Sequence, residues 1–288
     1  MRLRLKGTGQ QLMTTIIKNK RQDIFKMSIQ VRLNGFSFCI LNCSNNEITW
    51  YKKIDLGKEH SPIEILKEIE KLYSEETILH TEFQEVIVLF SNNLYTLVPE
   101  PYFIEEEAST YLKFNTKILK TDVVAHDSLD HGLVNVYIPY TNINNYFFDK
   151  YGEFEFKNNI SVLIEAILAK KSESKDAQVY LNDYSSYYDL VIIKDNNLLL
   201  ANTFQYDTEE DFIYYLLFTA EQLHLDPSNF NLWLLGDITK DSNNFNIAYT
   251  YVKHIDFLTP DFNFTSKLKP SETFHREAFS LLKTLKCE

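Results

Sequence analysis

Gln30-Val31-Arg32-Leu33-Asn34-Gly35-Phe36-Ser37 returns as Gln178-Val179-Tyr180-Leu181-Asn182-Asp183-Tyr184-Ser185, with five positions identical and Phe36 matched by Tyr184. Gly35 and Asp183 fall at the same place in the two octets. Both suit a tight turn, because glycine tolerates positive φ and aspartate bonds its own backbone. Each octet stands near the start of one half of the chain. The halves read alike from there on, so the chain reads as one fold written twice.

Outward from the first octet, Ser28–Leu33 and Phe36–Asn42 read as strands. Asn34-Gly35 between them is a two-residue hairpin signal. Asn45-Asn46 turns the chain into a third strand, Glu47–Ile54. Ser61, Pro62 and Glu64 spell a helix start, with an N-cap, a proline at the first helical position and the glutamate of a capping box. Ile65, Leu66, Ile69 and Leu72 give the helix over Pro62–Ser74 its apolar stripe. Glu85–Phe90 is a continuous apolar run, which suits a strand buried on both faces. The second half repeats the order with strands at Gln178–Asn182, Tyr188–Lys194 and Leu198–Gln205. A helix over Glu209–Leu223 follows, then a strand at Asn231–Leu235 closed by Gly236-Asp237. Each half is therefore β-β-β-α-β, an α/β architecture.

Between the halves the pattern predicts a strand at Leu94–Val98, a helix at Phe103–Phe114 and a strand at Leu133–Ile138. Helices at Ile143–Lys150 and Ile160–Lys170 follow, and the polar run Lys171–Asp176 marks the boundary. Phe245–His254 and Thr273–Lys286 are helical by period. The expected divisions are a basic leader over 1–26, a first lobe over 27–170 and a second over 177–288. No Pro/Gly/Ser linker separates the lobes, so they are expected to pack closely.

The net charge is −11, yet residues 1–26 carry seven cations against the single acid Asp23. The body is thus strongly acidic and repels phosphate backbones, which makes nucleic acid a poor partner. The basic head reads as a disordered leader or as the product of an upstream start, with Met13 and Met27 as alternative starts. An arm for an acidic surface is the other reading. It lacks the apolar run of a secretory signal. Cys39, Cys43 and Cys287 form an odd, unclustered set without a CxxC pair. That points to a reducing, cytoplasmic setting, with Cys39 as a small core residue. No stretch is long and apolar enough to span a membrane.

A three-stranded meander, a helix and a returning parallel strand, present twice, resemble the actin-like ATPase fold with its two ribonuclease H-like lobes. SIQVRLNGFSFCILN at 28–42, VNVYIPYTNINNYFFDKYGEFEF at 134–156, and EEDFIYYLLFTAEQLHLDP with LLGDI within 209–238 resemble a bacterial family, domain of unknown function 3822. The resemblance implies the duplicated fold and carries no activity. Active members of the actin-like superfamily seat phosphates on the two hairpin turns. The first turn reads Asp-x-Gly, whose carboxylate organises Mg²⁺ and whose glycine lets backbone N–H groups approach. Here Leu33 stands in the place of that acid, Phe36 adds bulk and Gly35 alone fits. Asn182-Asp183 keeps an acid, shifted, without a glycine. A Gly-Gly pair that holds the adenosine is replaced by Gly236-Asp237, and that carboxylate would oppose a triphosphate. Asn34, Gly35, Asn182, Asp183, Gly236 and Asp237 thus form a degenerate nucleotide cleft, or are simply tight turns.

Other constellations are weaker. Asp122, His126, Asp127, Asp130 and His131 are metal-ligand types, but their spacing matches no standard pattern, and a polar turn explains them. Glu105-Glu106-Glu107 and Glu209-Glu210-Asp211 sit at predicted helix starts, where the helix dipole accounts for them. No nucleophile elbow or glycine-rich phosphate loop occurs. Tyr137, Tyr140, Tyr146, Phe147 and Tyr151 belong to an aromatic run that either fills the contact between the lobes or forms a partner surface. The reading that follows is a cytoplasmic, non-catalytic, protein-binding scaffold or adaptor without ATP hydrolysis, with no cofactor and no metal assigned. The alternative is a divergent nucleotide-binding ATPase or small-molecule kinase using the interlobe cleft.

Overall fold

The computed structural model describes residues 23–287, apart from 115, 120, 267 and 269–272. Residues 1–22, most of the expected basic leader, lie outside the described residues, but Phe25 and Lys26 already belong to a strand. β1 (Phe25–Arg32), β2 (Gly35–Asn42) and β3 (Glu47–Asp55) form the meander, α1 (Pro62–Glu75) crosses over, and β4 (Glu85–Phe90) returns parallel to β1. The predicted capping box of α1 is present, Ser61 and Glu64 each serving the other's backbone N–H.

The chain then leaves the sheet. β5 (Tyr95–Pro99), two short 3₁₀ turns, α2 (Ala108–Leu112), β6 (Ala125–Leu129) and β7 (Leu133–Tyr137) build a separate sheet in the order β5-β7-β6. The helix expected over 103–114 is thus only the five residues of α2. α3 (Thr141–Tyr151), β8 (Glu155–Asn158) and α4 (Asn159–Leu168) complete the first lobe.

The second lobe repeats the plan. β9 (Gln178–Asp183), β10 (Tyr187–Lys194), β11 (Asn197–Gln205), α5 (Glu209–Gln222) and β12 (Asn231–Gly236) are followed by α6 (Asn243–Tyr251) and β13 (His254–Phe257). The two main sheets run β14-β3-β2-β1-β4-β8 and β11-β10-β9-β12-β13, where β14 is Thr265–Ser266. Leaving β14 aside, the order is the same, and the fifth strands β8 and β13 both pair parallel to the fourth. A β-bulge recurs as well: β3 skips Thr49 opposite Ile40/Leu41, and β11 skips Leu199 opposite Ile192/Ile193.

The octets lie in equivalent hairpins but are displaced by four residues. The Ser91 N–H donates to the Val31 carbonyl and the Asp237 N–H to the Asp183 carbonyl, each at 2.9 Å. Val31 pairs with Phe36, and Asp183 with Tyr188. Val31 is therefore the counterpart of Asp183, Arg32 of Tyr184, and Ser91 of Asp237. Neither Gly35 nor Asp183 sits in its turn as expected. The turn residues are Leu33-Asn34 in one hairpin and Ser185-Ser186 in the other, with Ser185 at positive φ. A four-residue slide, an even number, keeps every side chain on its own face, so one alternating text serves both registers.

α7 (Phe274–Glu277) and α8 (Phe279–Thr284) end the described chain. The last residues of the expected second lobe return to the first: β14 pairs with β3, and α8 packs against β1 and β2. Reciprocally, α4 of the first lobe packs against β10 and β11, and α4 and α8 touch. Each lobe thus lends its last helix to the other's sheet. Two separate cores result, one around Ile29, Phe38 and Ile69, the other around Leu181, Ile192 and Leu216. A third lies between the lobes around Leu163, Ile167, Val191 and Phe279. Cys39 is buried as expected, whereas Cys43 and Cys287 are not separate: they are joined by a disulfide, Cα–Cα 5.4 Å. Among the described residues no helix is long and apolar enough to cross a membrane.

Candidate functional site

The ends of β1, β9 and β12 and the two hairpin turns meet in the seam between the lobes. Alternation decides which side chains arrive there. Met27, Ile29 and Val31 face the core of the first lobe. Ser28, Gln30 and Arg32 therefore face the other lobe, and all three are buried. Ser28 meets Thr284 of α8 at 2.8 Å, and Gln30 donates to Asn159 of α4 at 2.9 Å.

The hairpins touch directly. The Asn34 amide donates to the Tyr184 carbonyl at 2.9 Å and to Ser186 Oγ at 3.0 Å. Arg32 lies over the Tyr184 ring, 5.4 Å from its centroid, so the counterpart residues of the two lobes stack on one another. Tyr184 is 3 % exposed. Its hydroxyl accepts from Asn159 at 2.6 Å and from Asn182 at 2.7 Å, and donates to Asp189 at 3.2 Å. Thr203 donates to the other Asp189 oxygen at 2.6 Å.

Beside this polar floor sits a charge cluster. Asp237 pairs with Lys53 at 2.5 Å and with Arg32 at 3.8 Å, and accepts from Ser185 Oγ at 3.3 Å. Glu277, just before α8, reaches Lys53 at 3.8 Å. Asp183 is 3 % exposed and accepts from the Tyr206 hydroxyl at 2.6 Å. Burial pushes its carboxyl up to about 7, and the Asp237 charge pushes the same way against the Tyr206 bond. Burial likewise lifts Asp189 to about 6 against its three hydrogen bonds. Gly236 has φ +78, and a Cβ there would stand 2.0 Å from the Asp183 carbonyl oxygen. Its bareness serves strand contact, β12 on β9, instead of opening space for a ligand.

The structure therefore brings Asn34, Asn182, Asp183, Gly236 and Asp237 together at the seam, with Gly35 packed beneath them on the Ile54 carbonyl. A nucleotide phosphate between the hairpins would have to part contacts already made. The hairpins that would cradle it hydrogen-bond each other, and the cations that would meet it are engaged by Asp237. Phe36, expected to add bulk beside the first turn, points instead into the first-lobe core. The plug consists of Arg32 and Tyr184. Sequence reading passed over Arg32, Lys53, Asn159 and Asp189; a polar residue at every second place of an otherwise apolar strand, as in Ser28, Gln30 and Arg32, was their signal.

The expected aromatic partner surface is corrected. Tyr137, Tyr140 and Phe147 are buried, and Tyr146 and Tyr151 are partly buried. Tyr73, Tyr146, Phe147 and Tyr151 pack ring against ring beneath α1 and α3, because α3 turns its aromatic face onto the sheet. Exposed aromatics include Phe148 on α3, Tyr102 and Phe114 beside α2, and Tyr214, Phe218, Tyr249 and Tyr251 on α5 and α6. The expected polar turn is present at Asp130-His131-Gly132 before β7, whereas His126 and Asp127 lie in strand β6. Asp127 bonds the Asn158 N–H at 2.9 Å and Ser161 Oγ at 2.6 Å, which satisfies the start of α4. His126 packs on Phe103. Among the described residues no group of His, Cys, Asp and Glu could hold a metal ion.

The family model described as Protein of unknown function (DUF3822) matches residues 14–255. No curated protein matches the chain. Among solved structures, the chain is similar to a Bacteroides thetaiotaomicron protein with actin-like ATPase fold and unknown function, with 22 % identity and a TM-score of 0.73 over 84 % of this chain and 94 % of that one. It is also similar to a chain of the PilM-PilN type IV pilus biogenesis complex, with 13 % identity and a TM-score of 0.53 over 89 % of this chain and 97 % of that one. The fold is the duplicated actin-like ATPase fold.

Proposed function

From the premise that the chain belongs to the DUF3822 family, matched over residues 14–255, we propose a non-catalytic scaffold or adaptor that binds protein and does not hydrolyse ATP. One observation carries the reading: the place between the hairpins is filled by the chain's own Arg32, Tyr184 and Asn34. Opening it for a triphosphate would expose Asp237 to like charge and leave the Tyr184–Asn159–Asn182–Asp189 network without partners, and a half-satisfied buried network is costly. That the PilM-PilN complex contains a chain of this fold supports protein assembly as a use of the architecture. The setting proposed is cytoplasmic, although the Cys43–Cys287 disulfide overturns the reducing environment inferred from unpaired cysteines and removes that support.

The second reading, a divergent ATPase or small-molecule kinase, draws on one feature. Asp183 and Asp237 lie close enough for one charge to raise the other's carboxyl, as paired carboxylates do in active sites. Titration of Mg-ATP by calorimetry, with phosphate release followed in parallel, separates the two. The scaffold reading expects no heat of binding and no release above the rate without protein. Turnover that disappears in Asp237→Asn would establish the enzyme instead.

A further inference from the structure

The sheets share a strand order but differ at one edge. In the first lobe the outer edge of β3 is covered: β14 pairs with it, Thr265 opposite Glu47 and Ser266 opposite Ile48. The counterparts of Glu47 and Ile48 in β11 are Asn197 and Leu198, placed by the shared bulge. Among the described residues no strand pairs there, and β11 ends its sheet.

An uncovered edge is ordinarily guarded by charge, proline or a short strand. β11 has none of these guards. It is nine residues long, NLLLANTFQ, without a charged residue or a proline. Its equivalent β3, EITWYKKID, has four charged residues. The bulge lies near the start of β11 and leaves Leu200–Gln205 in regular register. At the far end, Thr203 and Gln205 help line a cavity of about 130 Å³ with Leu33, Leu94, Tyr140 and Tyr187. That is well below a cofactor pocket and close to the size that takes one benzene ring. Exposed acids flank the strand, Asp195 before it and Asp207, Glu210 after it.

We propose that β11 receives an extended segment of a partner protein as an added strand, with one apolar side chain seated in the cavity and basic residues at the segment's ends. The inference deepens the scaffold reading and rests on it. Backbone pairing along the edge supplies affinity and the cavity supplies selection, the usual division of labour in strand addition. A second copy of this chain is disfavoured as the occupant. Two acidic bodies would meet, and one strand edge buries far less than the roughly 1,200 Å² of a stable association between folded proteins.

The test pans the full chain against a random peptide library and measures the enriched peptides by fluorescence polarisation. Expected are peptides alternating apolar and polar residues with basic ends. Leu199→Pro and Asn202→Lys should each weaken them by about tenfold or more, and Tyr249→Lys, on α6, should leave them unchanged. Leu199 is the bulge residue, a place where a proline costs no ladder bond, and Asn202 is exposed, so both variants are expected to fold; circular dichroism verifies it. Amide exchange should slow over 197–205 on binding. Failure to enrich any peptide, or peptides indifferent to both edge variants, overturns the proposal while leaving the Mg-ATP result to judge the scaffold reading separately. A concentration-dependent dimer abolished by Leu199→Pro also overturns it, in favour of self-pairing.

Discussion

Asp183 faces two demands, burial beneath the seam and a negative neighbour in Asp237. Its carboxyl is raised from 3.8 to about 7 in the folded state. The folded chain then holds a proton there that the unfolded chain has lost. Its stabilising contribution is fully present below the unfolded value and disappears as pH rises through about 7. Asp189 and Asp127, each lifted by burial to about 6, act in the same direction. Thermal unfolding should thus show a midpoint that falls from about pH 4 to about pH 7 and levels off above it. Asp183→Asn keeps an oxygen for Tyr206 and does not ionise, so it should flatten that fall and raise the midpoint at pH 8; an unaltered slope would refute the assignment. Asn34→Ala removes the bridge to Tyr184 and Ser186, and urea unfolding should record a loss of about 1–2 kcal/mol. Little of this was visible in the sequence. Asn34, Asp183 and Asp237 could be picked out from turn chemistry and the superfamily pattern. That Arg32 and Lys53 would engage Asp237 depends on which strand ends meet, and no local signal encodes that.

At the scale of elements, the pattern found four strands of each main sheet and missed the fifth in both. β8 reads EFKN and β13 reads HIDF, four residues each at a sheet edge. So short a run gives alternation no room to declare itself, and the helical period of Phe245–Tyr251 was carried on across His254. The helices were legible where their caps were. α1 and α5 both have capping boxes, Ser61 with Glu64 and Thr208 with Asp211. Thr208→Ala should cost about 1 kcal/mol by urea titration, with an equal loss for Ser61→Ala, because the two boxes do the same work in the two lobes. The helix expected over 103–114 failed for a related reason: neither its 3₁₀ turns nor α2 has a side-chain cap. The octet repeat identified the right hairpins and the wrong register, because period-two text keeps its alternation under a slide of four residues.

For the whole molecule, the exchange of α4 and α8 between the lobes sets how the parts can move. Each lobe packs against the other's last helix, and hydrogen bonds cross the seam from Asn34 to Tyr184 and between Ser28 and Thr284. The tail that carries α8 is fastened at its end by Cys287 to Cys43, just past β2 of the first lobe. Cys39 and Leu41 of β2 and Leu281, Leu282 and Leu285 of the tail share one core beside that bond. A crosslink spanning 244 residues of sequence restricts the unfolded chain strongly, and such bonds stabilise by about 2–4 kcal/mol. The pairing could not be read from three unclustered cysteines, since it depends on the tail folding back across both lobes. Dithiothreitol should therefore lower the unfolding midpoint of the native chain and leave Cys287→Ser unaffected, and the variant's midpoint should coincide with that of the reduced protein. Because α8 lies in the seam, reduction should also speed amide exchange over 274–285 and at Tyr184 while the cores around Ile69 and Leu216 keep their protection. A midpoint indifferent to dithiothreitol in an oxidised sample, verified by mass, would show that the tail is held by packing alone.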